Sequence, residues 1–287
     1  MENHAAAFPA THSLVSDKER RQLPPVKKKT DPAVLRQPDY GVYARFYDHF
    51  ELDGRSESKE LNVFLDELFS LNGVKTVVDF ACGTGAQCIG LAKAGYQVTA
   101  CDLNPEMLKI AKIKARKTPV KFMAGDMRDC NPGCFDAAIC IFNAIGHLSK
   151  ADCRLFFANA LQHLNPGGLL VIDILNFKAM AAGIFRDYKY MSREAIIDGM
   201  LVHHVRNCSL SRKTAQITVK SVTRWQDGFN PPQELHEDWQ MQIYDDEELL
   251  AMLKDAGFAD IQLFGPTGSD FSSDTSDSIL AICQKSR

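Results

Sequence analysis

The sequence lacks several features, and each absence narrows what the protein does. Its nine cysteines, at 82, 88, 101, 130, 134, 140, 153, 208 and 283, include no C-x-x-C pair. Zinc ribbons and dithiol oxidoreductases use that spacing, so neither is expected. An odd number of thiols scattered through apolar segments fits reduced cysteines, and a cytoplasmic location is expected. No apolar run approaches the ~20 residues needed to cross a bilayer, so no membrane partner is expected. The stretch from Met1 to Ala10 is interrupted by Pro9 and has no apolar signal core. Excess positive charge is also absent: 33 Lys and Arg stand against 36 Asp and Glu, a net charge of −3. Phosphate affinity needs clustered cations, so nucleic acid is not an expected partner. Cys130, Cys134 and His147 are the one set that invites a metal, and no fourth ligand is spaced to join them; no metal site is expected.

What is present is organised around Val77 to Gln87, VVDFACGTGAQ. β-Branched and apolar residues end in a glycine-spaced turn, and a helical pattern opens behind it. Gly83 and Gly85 lack a Cβ, so a ligand can lie against main chain beside the N–H groups of a first helical turn. Asp79 closes the strand, and a following strand from Gln97 ends in Asp102, the spacing at which an acidic side chain meets ribose hydroxyls. Dinucleotide binding fits poorly: Cys88 stands where the fingerprint wants Gly or Ala, and no Lys or Arg occurs from Val77 to Leu91. An acidic mouth suits a cationic ligand, and S-adenosylmethionine (SAM), with its sulfonium, ammonium and diol, has that chemistry.

Around this element the chain alternates strand and helix, which predicts a parallel sheet. Strands are expected near 74–80, 97–102, 119–124, 135–142 and 168–175, with helices near 86–95, 105–116 and 150–164. The expected organisation is a basic, proline-bearing disordered tail over 1–38, a helical lid over 39–72 and a nucleotide-fold core over 73–184. An antiparallel β insert over 185–244 follows the fifth strand and is expected to cap the substrate. A helix and β-hairpin over 245–287 complete the core sheet. The insert shows as period-two burial at Ile217, Val219, Thr223 and Trp225. Asn230-Pro231-Pro232-Gln233 lies within it and reads as a turn rather than a nucleic-acid methylation loop.

Asp79-Phe80-Ala81-Cys82-Gly83-Thr84-Gly85, Asp102, and Gly125-Asp126-Met127-Arg128-Asp129 together resemble the class I SAM-dependent methyltransferases, from about Tyr40 to about Lys285. The resemblance implies an α/β, Rossmann-like, doubly wound seven-stranded sheet with one antiparallel strand. It implies SAM as cofactor and S-adenosylhomocysteine as product. Ala81, Gly83 and Gly85 would offer backbone to the methionine portion, and Asp79 would face its ammonium. Asp102 would accept the ribose hydroxyls, Leu103 would lie beneath the adenine, Asp126 would accept from the adenine amine, and Met127 would pack on the ring. Asn143 and Ala144 would contribute backbone near the methyl, and Arg55 would pair with the cofactor carboxylate.

The segment Ala144-Ile145-Gly146-His147-Leu148, with the late β insert, is similar to small-molecule N-methyltransferases of the aminosugar type. His147 is then the expected base, with an unperturbed pKa of about 6.5. Tyr43 and Tyr47, four apart on the lid helix, are expected near the reacting groups. The cofactor half matches this pattern better than the substrate half, where Leu175-Asn176-Phe177-Lys178 and Glu237-Asp238-Trp239-Gln240 depart from it. The expected function is methyl transfer to a small-molecule acceptor at an amine nitrogen. Oxygen methylation and a SAM-binding module without turnover stand as alternatives, and a homo-oligomer is compatible with either.

Overall fold

A computed structural model describes residues 35–52 and 56–287. Most of the basic tail, with its Lys27-Lys28-Lys29 run, and Arg55 lie outside the described residues. The tail was expected to reach residue 38, but chain packs from Leu35, which is buried, and Arg36 pairs with Asp238 at 2.7 Å.

Strands β1 (Thr76–Phe80), β2 (Gln97–Asp102), β3 (Lys121–Ala124), β4 (Phe135–Cys140), β5 (Leu164–Leu175), β10 (Phe258–Phe264) and β11 (Ser278–Lys285) form one sheet, in the order β10-β11-β5-β4-β1-β2-β3. β11 alone runs against its neighbours, antiparallel to both β5 and β10. The short, β-branched runs between helices produce this arrangement because parallel strands need crossovers, and helices then cover both faces. Val77 points into one layer with Leu61, Leu65 and Phe69 of α2 (Ser56–Leu71) and Ile89 and Leu91 of α3 (Ala86–Ala94). Val78 and Phe80 point into the other, against Phe156 and Phe157 of a later helix.

α4 (Pro105–Lys114) begins on an Asn104 side chain that caps the Glu106 and Met107 N–H groups. α5 (Lys150–Gln162) begins on Ser149 in the same way. β5 starts at Leu164, earlier than the glycines led us to expect. The Asn165-Pro166-Gly167-Gly168 stretch is taken up by a register shift against β4 rather than by a loop before the strand.

β4 and β2 flank β1, so the chain reverses its order at the β1–β4 boundary. Open α/β sheets bind ligands outside the carboxyl ends of such a boundary. The segment after β5 forms two short helical turns, α6 (Phe177–Ala179) and α7 (Phe185–Tyr188), joined by a π-helical turn at Met180–Ile184. The expected insert is thus helical at its start. Strands β6 (Tyr190–Ile197), β7 (Met200–Ser211), β8 (Gln216–Trp225) and β9 (Gln233–Gln242) then form a separate antiparallel sheet in sequence order. α8 (Asp246–Asp255) returns the chain to the core, burying Leu249, Met252 and Leu253. Near the N-terminus, α1 (Tyr40–Tyr47) runs into a π-helical turn, Asp48–Leu52. Its Tyr43, Phe46 and Phe50 pack against Met200, Val202 and Trp225 of the second sheet.

At the far, amino end of the sheet, the Asp136 carboxylate accepts from the backbone N–H groups of Lys75 and Thr76, the Thr76 hydroxyl and Asn165 Nδ2, at 2.8–3.0 Å. Burial pushes this carboxyl up, but the bonds from Asn165, Thr76 and Lys75 outweigh it and hold it below its ordinary value. The stability it contributes is therefore present above the ordinary carboxylate range and is lost as pH falls through the depressed value. Asp136→Ala is expected to lower stability by about 1–3 kcal/mol at neutral pH, read by urea denaturation, and the difference from wild type should shrink on acidification.

Candidate active site

The cleft at the β1–β4 boundary is built from the glycine turn. Asp79 is only 3% exposed, and its Oδ2 has no hydrogen-bond partner among the described residues. Burial first, and the neighbouring Asp102 second, push its carboxyl up to about 8; a bond from the Cys88 backbone only partly offsets this. An unpartnered buried carboxylate is costly, and it favours a cation that would restore its charge.

Ala81 and Gly83 follow at positive φ, +59° and +53°. A Cβ on Gly83 would meet nothing within 4 Å, so the bare backbone there faces open space. Gly85 serves packing instead: its Cβ would stand 2.9 Å from Ile89 Cδ1 and 3.3 Å from Ala111 Cβ, where α3 and α4 approach. Asp102 Oδ2 accepts from the Gly83 N–H at 2.7 Å and Oδ1 from the Asn104 N–H at 2.8 Å. Burial still raises this carboxyl. Leu103 beside it is 69% exposed and is not among the residues that line the cleft.

Tyr47 lines the cleft, as do Ile141 and Phe142 just past the end of β4. The enclosed space is about 30 Å³, roughly room for a single water and far less than a nucleotide-sized ligand occupies. That helix is fastened to the cleft: Thr84 Oγ1 donates to Asp48 Oδ1, and Lys114 Nζ reaches Asp48 Oδ2 at 2.7 Å and Thr84 Oγ1 at 3.2 Å. One carboxylate from the N-terminal segment thereby joins the glycine turn to the end of α4.

Past β4, Phe142 and Asn143 both adopt positive φ, +58° and +57°, a strained pair for side chains of that size. The pair is held by the Asn143 N–H donating to Asp173 Oδ1 at 2.9 Å and by the Leu175 N–H donating to Asn143 Oδ1 at 3.1 Å. Burial pushes the Asp173 carboxyl up to about 7. The short turn Ala144–His147 that follows puts the His147 ring between two aromatics. Tyr40 meets it edge-on at 5.7 Å and Trp239 of β9 lies at 5.3 Å. The Tyr40 hydroxyl is 3.0 Å from His147 Nε2, while Nδ1 is buried without a hydrogen-bond partner among the described residues. Removal from water pulls the imidazole down to about 4, so it is neutral at ordinary pH. The Gln37 amide donates to the His147 carbonyl at 2.7 Å, which binds the N-terminal segment to the same turn.

The structure thus gathers Asp79, Ala81, Gly83 and Tyr47 on one cleft, with Asp102 linked to it through Gly83. It does not bring Tyr43 there. That side chain is buried against the second sheet, donates to Glu51 Oε1 at 3.0 Å and packs on His204. α1 turns its residues to different neighbours, and Tyr43 falls on the side facing the insert. Asp126 also differs from expectation: Arg128 grips both its carboxylate oxygens, at 2.9 and 2.6 Å, and the Arg128 N–H donates to it at 2.9 Å. That ion pair holds the carboxyl below its ordinary value, so a second donor would share an acid already engaged. Met127 packs on the core beside Cys140. Asn143 and Ala144 sit one step beyond the lining, which is made by Ile141 and Phe142. Sequence reasoning missed Tyr40, Asp48, Thr84, Lys114 and Trp239. For Tyr40 a signal existed, since it opens the same aromatic run as Tyr43 and Tyr47.

Similarity to known proteins agrees with this geometry. A family model described as a methyltransferase domain matches residues 77–168. The chain is 36% identical over 154 residues to the glycine N-methyltransferase of Rattus norvegicus, covering 48% of this chain and 53% of that protein. Against the putative methyltransferase YqeM of Bacillus subtilis it is 31% identical over 188 residues, covering 63% and 72%. Its fold matches a sugar N-methyltransferase of a Streptoalloteichus species with a TM-score of 0.68 at 20% identity, covering 93% of this chain and 100% of that one. The chain spans about half the length of the glycine N-methyltransferases it matches.

The fastening at Asp48 is open to a direct test. Asp48→Ala is expected to raise hydrogen exchange at the α1 amides roughly 3–10-fold, the loss of about 0.7–1.4 kcal/mol from a partly exposed pair and one hydroxyl bond. Exchange in β1 and β4 should stay unchanged.

Proposed function

The chain belongs to the class I SAM-dependent methyltransferases, and we propose that it transfers the cofactor's methyl group to the nitrogen of a small amine. The residues present fit SAM. The unpartnered Asp79 Oδ2 matches its ammonium, the open backbone at Gly83 admits its methionine chain, and Asp102 stands where its ribose would lie. When bound, SAM supplies an activated methyl on a sulfonium, so no protein group has to activate the leaving group.

The protein then has two tasks, to hold the acceptor and to receive or shed one proton. The observation that carries nitrogen over oxygen is the state of His147. An imidazole pulled down to about 4 is too weak a base to ionise a hydroxyl, whose pKa exceeds it by roughly ten units. A neutral amine needs no such help, because its lone pair is already available. Nδ1 accepts a hydrogen bond from the amine N–H and orients that lone pair, Tyr40 fixes the ring through Nε2, and Trp239 covers the ring's face. His147 then acts as a positioning acceptor, where a base of ordinary histidine strength was expected. The glycine and sarcosine N-methyltransferase activities named for the relatives support an amine acceptor.

Release of S-adenosylhomocysteine in the presence of small primary and secondary amines, and not of matched alcohols, is the expected outcome; release with alcohols alone would overturn the reading. His147→Ala should leave SAM affinity unchanged and lower turnover by ~10². With the acceptor saturating, turnover should show no acid limb near the ordinary histidine value of about 6.5, and any limb from His147 should lie near pH 4.

A further inference from the structure

A second cavity lies between the linker that follows β5 and strand β7. Met180, Gly183 and Phe185 on the linker and Cys208 and Leu210 on β7 border about 390 Å³, within the range of roughly 300–1,000 Å³ usual for small-molecule sites. The linker's shape creates the space. Gly183 sits at φ +151°, breaking the run of helical turns, and a Cβ there would meet nothing within 4 Å.

Floor and rim differ in chemistry. Met180 is 1% exposed and clusters with Ile217, Val219 and Ile243, and Phe185, Cys208 and Leu210 pack against that cluster. Arg186, Lys189 and Arg212 line the rim, and no Asp or Glu is among the lining residues. On a chain of net charge −3, three cations around one apolar floor are a local concentration of positive charge. Arg212 is tied in place by donating to the Ala181 carbonyl at 2.7 Å. Among the described residues, the ion pair that Arg186 makes is with its exposed neighbour Asp187, at 3.5 Å.

We propose that this cavity is a second small-molecule site that binds an amphipathic carboxylate, its apolar body on Met180, Phe185 and Leu210 and its anion against Lys189, Arg186 and Arg212. Neither the apolar floor nor the cationic rim alone specifies such a ligand; their adjacency does. The cavity shares no lining residue with the glycine-turn cleft, and it lies on the same face of the insert as Trp239. Across the insert, Cys208 pairs with Val219 and Val219 with Trp239, two strand spacings or roughly 10 Å, with buried Val219 between them. The proposal therefore does not depend on methyl transfer.

The test uses the full-length protein, decanoate below its micellar concentration as the probe, and decanol and inorganic phosphate as controls. Cys208, half-buried at the cavity, reports occupancy through its rate of alkylation, mapped by peptide mass spectrometry, with exposed Cys134 as the internal reference. Decanoate is expected to slow alkylation of Cys208 and not of Cys134, with neither control doing so. The double variant Lys189→Glu, Arg186→Glu should weaken decanoate binding by calorimetry at least ~10-fold with an unchanged thermal midpoint, as loss of charged contacts requires. Equal protection by decanol, equal protection by phosphate, no protection by decanoate, or undiminished binding to the variant would each overturn the proposal.

Discussion

The structure depends on one unbalanced carboxylate. Asp79 lies at the carboxyl end of the central strand, almost wholly buried, with one oxygen unpartnered and Asp102 close enough to raise its proton affinity further. Two acids in one desolvated cleft without a cation between them destabilise the folded chain. The fold tolerates them because the sheet and its two helical layers over-determine their positions. On the proposed reading, a cationic cofactor would turn this unfavourable arrangement into binding energy, with the glycine turn as the backbone against which it would lie.

The acceptor side is assembled differently. Three segments remote in sequence converge on His147: the N-terminal helix through Tyr40, the turn after β4, and the insert through Trp239. The N-terminal helix also carries Tyr47, which lines the cleft, and it is followed at once by Asp48, which binds the glycine turn. One short helix and the turn behind it thus touch both the glycine turn and the His147 ring. Burial that makes His147 a weak base also keeps it neutral, the form able to accept a bond from an amine.

The cofactor half was legible in the sequence because its signals are local. A glycine turn, an acid at a strand end and alternating strands and helices each depend on residues within a few positions of one another. The seven strands, the single antiparallel one and the position of the insert followed from that alternation and from the family resemblance, whereas the order of the strands in the sheet was not read from the sequence. The acceptor half was not legible, for a geometric reason. Tyr40 and His147 are 107 residues apart, and no periodicity records that their side chains meet. Period two showed which face of the insert is buried, but not that Trp239 covers His147. The expectation for Tyr43 failed on the same point, since helical spacing alone does not fix whether a face meets the cleft or the insert. For Asp126 the local motif did not show that Arg128, two residues on, folds back onto the acid.

The account's central claim is that Asp79 waits protonated for a cation. Calorimetric titration of SAM at pH 7 in buffers of differing ionisation enthalpy tests it most directly. With the carboxyl near pH 8 before binding and ionised beside an ammonium afterwards, binding is expected to release about one proton per site, and Asp79→Asn is expected to abolish that release. Binding with no proton release, or the same release from the variant, would contradict the account.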